Sequence, residues 1–100
     1  MSRPTKVLGS NFPIFDGTEA VCWIVEMTSS VSDALVRYVA PGVLYTIVII
    51  QDGVGGHTFR WPSNCINPPQ INTQPDGKTV VNFIGAGDGI IAASAPAAWI

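Results

Sequence analysis

The run Leu-Tyr-Thr-Ile-Val-Ile-Ile-Gln at positions 44–51 limits what this chain can fold into more than any other segment. Every residue from Tyr45 to Ile50 is β-branched or aromatic. Such side chains pack well on a pleated surface and are stiff in a helix. Tyr45, Ile47 and Ile49 alternate with Thr46, Val48 and Ile50, the period of a strand. The run ends in Asp52-Gly-Val-Gly-Gly56, three glycines in five residues. Glycine supplies the positive φ that tight connections need. Residues 57–61 then alternate again, with His57, Phe59 and Trp61 on one side, and stop at Pro62. The pattern predicts a β-hairpin whose turn is Asp52, Gly53, Gly55 and Gly56.

Other segments carry the same period. Residues 19–28 read as a strand with both faces mostly apolar, as expected where a strand is covered on two sides. Residues 34–39, 79–85 and 90–94 are further strands. Helical spacing at Val31, Ala34, Leu35 and Tyr38 is outweighed by the shortness and β-branching of that segment. Residues 62–77 hold four prolines and read as a long ordered excursion, because proline cannot donate to a strand ladder. Turn signals recur about every ten residues, the spacing of an all-β sandwich or barrel. The expected fold is therefore all-β: a single compact antiparallel β-sandwich or barrel of about seven short strands over residues 14–100. An extended N-terminal arm, residues 1–13, precedes it, with one short strand within 5–8.

Composition narrows the function. Of the 100 residues 47% are hydrophobic and 12% charged, about half the usual charged share of roughly 25%. Either the sheets are covered on both faces or a partner covers part of the surface. Net charge is −2 and the five cations are scattered, so the phosphate-neutralising density of a nucleic-acid binder is missing. No segment is apolar for long enough to span a bilayer, and the first residues do not resemble a signal peptide. Synthesis in a cytosol is expected, which disfavours a disulfide between Cys22 and Cys65. Both read as buried free thiols.

No constellation for catalysis, metal binding or a cofactor stands out. Asp52 is the one acidic residue of its glycine loop, too few for calcium, and the loop lacks the Gly-Lys-Ser/Thr ending of a phosphate loop. His57 is the sole histidine. Asp52 can approach it across the loop, but an Asp–His pair without a nucleophile makes no mechanism. Glu19 and Glu26, seven apart, fall on opposite faces of a strand and are no acid/base pair. Trp23 and Trp61 sit in apolar alternation that favours the core over a sugar platform. The apolar residues of the termini, Val7, Leu8, Phe12, Ile14, Trp99 and Ile100, are the candidate partner-binding set.

The motif Tyr45-Thr46, Gln51-Asp52-Gly53, Gly55-Gly56, Thr58, Trp61-Pro62 resembles a small β domain common in tailed-phage virion proteins. Tail-fibre segments, head fibres and capsid decoration proteins carry it. The resemblance spans roughly residues 15–94 and includes Thr79-Val-Val-Asn-Phe83 followed by Gly85-Ala-Gly-Asp-Gly89. The strand after it lacks the aromatics common in that family. The resemblance implies a virion structural protein without enzymatic activity. A 100-residue chain with no coiled-coil stem fits a capsid decoration (cement) protein on the outer capsid surface. Its partners would be the major capsid protein and other copies of itself, as a trimer. The alternatives are a tail-fibre or baseplate component, or a carbohydrate-binding receptor module.

Overall fold

The computed structural model describes residues 5–9, 12–66, 70–92 and 98–99. These contain nine strands and no helix: β1 (Thr5–Leu8), β2 (Ile14–Asp16), β3 (Cys22–Met27), β4 (Leu35–Arg37), β5 (Leu44–Gln51), β6 (Cys65–Ile66), β7 (Lys78–Gly85), β8 (Ile90–Ala92) and β9 (Ala98–Trp99). The main sheet runs β1-β3-β5-β7-β8-β6, with β9 also paired to β7, and β2 and β4 form a small second sheet.

The chain is all-β, as its alternation predicts, but its topology differs from the antiparallel sandwich or barrel. It leaves the main sheet after β1, forms β2, and returns as β3 parallel to β1. It then leaves again, forms β4 parallel to β2, and returns as β5 parallel to β3. The result is a solenoid-like stack of turns. Thr5, Cys22 and Thr46 stand at one level of it. Parallel neighbours need a crossover of a dozen or more residues, and residues 9–21 and 28–43 provide them. Antiparallel pairing begins only at β7, which lies beside β5 from Leu44↔Ile84 to Ile50↔Lys78.

The hairpin expected over residues 44–62 is likewise not formed. Residues 57–61 make no strand; Phe59 forms a single parallel bridge with Val31. The Val31 amide donates to the Thr58 carbonyl at 2.8 Å and the Arg60 amide to the Val31 carbonyl at 2.9 Å. This segment thus stacks as a further turn on residues 28–34. The place beside β5 goes to β7, whose eight residues match it in length. The excursion of residues 62–77 also contains a short strand, β6, parallel to β8.

The core lies between the main sheet and the outer turns. Trp23, Val25, Tyr45, Ile47, Ile49, Val81 and Phe83 face inward from β3, β5 and β7, and meet Phe15 and Val36 of the small sheet. Aromatic rings run through it in a chain. Trp23 stacks on Tyr45 at 5.5 Å and meets Phe15 edge-on at 5.4 Å. Phe15 reaches Phe59 at 6.4 Å, Phe59 meets Trp61 at 4.8 Å, and Trp61 meets Phe83 at 5.6 Å. Each such pair adds about 0.5–1.5 kcal/mol beyond area burial. The Trp23 Nε1 is buried without an acceptor among the described residues, which costs about 1–3 kcal/mol.

Candidate functional site

The motif segment that follows β5 is built by two side chains. Gln51 is fully buried, and its amide acts in place of a strand partner. Its Nε2 donates to the His57 carbonyl at 2.8 Å, and its Oε1 accepts from the His57 amide at 3.1 Å. Asp52 organises the loop between them. Its Oδ1 accepts from the Val54 and Gly55 amides, both at 3.1 Å, and lies 2.9 Å from His57 Nε2. The Gly55 amide, with the His57 ring and the Val54 amide, holds the Asp52 carboxyl below the usual carboxylate range against the opposing effect of burial.

Gly55 and Gly56 have φ of 71° and 73°, the left-handed region that favours glycine. A Cβ on Gly55 would also stand 2.6 Å from the Pro75 nitrogen. The loop is sewn to the segment before β7: Gln51 donates to Gly77, Gly56 to Thr73, and Asp76 to Asp52, at 2.7–2.8 Å between backbone atoms. The Asp52–Gly56 turn is therefore a scaffold element that docks the 72–77 segment.

The Asp52–His57 approach anticipated from the sequence is present, and His57 is half-buried rather than solvent-facing. Among the described residues no serine, threonine or cysteine is hydrogen-bonded to His57. Burial pushes the Cys65 thiol up to about 12, so it is protonated and unreactive near neutrality. Cys22 is half-buried, and both cysteines are free. No cluster of three or more His, Cys, Asp or Glu residues able to hold a metal occurs among the described residues. No helix there is long and apolar enough to cross a membrane.

A cavity of about 600 Å³ opens where residues 32–35 meet residues 60–64. Ser32, Asp33, Arg60, Trp61, Ser63 and Asn64 give it a polar lining with one indole. The volume lies within the usual range of ligand sites, about 300–1,000 Å³. The Val31–Phe59 bridge fixes its two walls side by side. Asn64 braces its floor by donating to the Val36 and Asp88 carbonyls, each at 3.0 Å. Neither Asp33 nor Arg60 forms an ion pair among the described residues. Sequence alternation placed Trp61 with the core, and it does pack on Phe59 and Phe83. Its position at this cavity depends on the parallel bridge, which no local pattern announces.

The terminal apolar residues are spread out. Val7 and Leu8 lie on opposite faces of β1: Val7 is 56% exposed, whereas Leu8 packs against the core. Ile14 is half-buried in β2, and Phe12 is exposed just before it. Trp99 belongs to β9, opposite Thr79, and Ile100 lies outside the described residues.

A family model described as "Putative phage tail fibre C-terminal domain" matches residues 23–90. The match runs from Trp23 in β3 to the first residue of β8 and so takes in the motif loop, the cavity and most of the main sheet. No curated protein and no solved structure matches the chain.

Proposed function

Since the chain belongs to the phage tail-fibre C-terminal domain family, and with it to the structural proteins of the virion, we propose that it is a tail-fibre module. In this reading it is non-catalytic and contacts the host surface. The observation that carries it is the family match across more than half of the chain. That match favours the tail-fibre alternative over the capsid decoration role expected from the sequence.

The cavity between residues 32–35 and 60–64 is the surface we assign to receptor contact, with a saccharide as ligand. A sugar needs donors and acceptors in convergent positions beside an apolar surface. Asp33 supplies acceptors, Arg60 donors, Ser32 and Ser63 both, and Trp61 the apolar surface. Arg60 and Asp33 form no ion pair among the described residues, so sugar hydroxyls need displace none there.

Gold-labelled antibody against the chain, applied to intact virions, tests the location. Label at the tail in a handful of copies per particle is expected. Label spread over the head in hundreds of copies would return the reading to decoration. Binding of Trp61→Ala and Asp33→Asn variants to a panel of bacterial surface oligosaccharides tests the cavity. Loss of the wild-type signal in both is expected.

A further inference from the structure

The cavity between residues 32–35 and 60–64 holds one charge of each sign, and the two do not cancel. Among the described residues Asp33 is its one acidic and Arg60 its one basic lining residue. The Val31–Phe59 bridge aligns the two walls, which sets the backbones at Asp33 and Arg60 within roughly 10 Å, two strand spacings. Side chains of this length can pair across such a gap. No ion pair joins them, and neither forms a side-chain hydrogen bond among the described residues. Arg37, farther along the Asp33 wall, is by contrast engaged by Asp16 at 3.0 Å. Asp33 and Arg60 are both exposed, so a ligand entering the cavity reaches both.

A carboxylate only accepts hydrogen bonds and a guanidinium only donates them. Each bond is strongest when the partner is charged as well. A neutral sugar satisfies both walls with hydroxyls and uses neither charge fully. A purely anionic sugar gains at Arg60 and is repelled at Asp33, and the net charge of −2 on the chain adds no attraction. A purely cationic amino sugar meets the converse. Only a unit that carries both an ammonium and an anionic group gains at both walls. We propose that the cavity selects a zwitterionic sugar, its amine toward Asp33 and its anionic substituent toward Arg60. This rests on the saccharide reading of the cavity given above and adds the charge pattern of the ligand. Ser32 and Ser63 remain for the hydroxyls. Trp61, packed on Phe59 and Phe83, offers the ring an apolar surface whose position is fixed.

Four probes separate the charges: glucose, glucosamine, glucose-6-phosphate and glucosamine-6-phosphate. Each is titrated into the full chain at low salt and mildly acidic pH, where the sugar amine is protonated, and binding is read from amide NMR shifts. Glucosamine-6-phosphate should bind on the order of tenfold more tightly than glucose, since each matched exposed charge adds up to about fivefold. The two singly charged probes should stay within a few-fold of glucose. Added salt should shrink the preference. Arg60→Gln and Asp33→Asn, both at exposed positions, should each abolish it and leave the remaining amide spectrum unchanged. Equal affinity for glucose and glucosamine-6-phosphate would overturn the charge pattern and leave the saccharide reading standing. So would a singly charged probe that binds as tightly as the zwitterion, or a preference that survives both substitutions. Absence of shifts at residues 32–35 and 60–64 with all four probes would overturn the saccharide reading together with the proposal.

Discussion

Replacing Gln51 by leucine probes the motif most directly. The side chain is 1% exposed, keeps nearly the same volume as leucine, and ties its amide to both backbone groups of His57. Leucine forfeits two hydrogen bonds, each worth about 1 kcal/mol net. It also leaves the His57 amide and carbonyl to find water at a half-buried position, while the apolar gain offsets part of this. A loss of about 2–3 kcal/mol is expected, a large share of the roughly 5–15 kcal/mol available to a domain of this size. At about 4–8 °C per kcal/mol, the melting temperature should fall by on the order of 10–20 °C. Urea denaturation followed by tryptophan fluorescence measures the free energy, and calorimetry the Tm. Gln70→Leu, at an exposed position, serves as the control and should stay within about 0.5 kcal/mol. A Gln51→Leu loss no larger than that of the control would refute the role given to the amide clamp.

Three further outcomes are expected. The Asp16 carboxyl lies below its ordinary range because the Thr18 hydroxyl and amide, then Arg37, stabilise its charged form. A depressed carboxylate pKa stabilises the fold above the unfolded value of about 3.9 and loses that effect as pH falls through the folded value. Asp16→Asn should therefore flatten the decline of stability below about pH 4 in acid titrations by circular dichroism; an unchanged slope would contradict the assignment. Gly85→Ala would drive a methyl into the Ala40 carbonyl and against Tyr45, and should cost more than about 2 kcal/mol. Gly53→Ala meets open space and should be near neutral in the same chemical denaturation. Native-state alkylation should label half-buried Cys22 well before Cys65, whose thiol is buried and pushed up to about 12; equal rates by mass spectrometry would argue against that burial.

Strand content was largely legible in the sequence because it depends on local alternation. Residues 44–51 and 79–85 read as strands, and β5 and β7 are found there. Pairing was not legible, since alternation is identical for parallel and antiparallel neighbours. The glycine-rich turn after Gln51 looked like a hairpin for a physical reason: its positive φ values are real. What the pattern concealed was Gln51 itself, whose side chain occupies the backbone groups of His57 that a strand partner would have used. The cavity was hidden for a related reason. Its walls, residues 32–35 and 60–64, are far apart in sequence and are brought together by the Val31–Phe59 bridge and the bond from Asn64 to the Val36 carbonyl.

The stacked turns bear on how the chain acquires its fold as it is made. In β1, β3 and β5, order along the chain equals order across the sheet, and each strand lands on one synthesised before it. Registry jumps from Thr5 to Cys22 and from Cys22 to Thr46, so each closure is of moderate length, and doubling a loop adds only about 0.6 kcal/mol. A nascent chain can thus add turns from its N-terminal end without waiting for its last strands. The antiparallel partner β7 arrives afterwards and seals the open side of β5. Until it does, the inner face of β5 has no cover from Val81 and Phe83, and the growing chain is most exposed to aggregation in that interval.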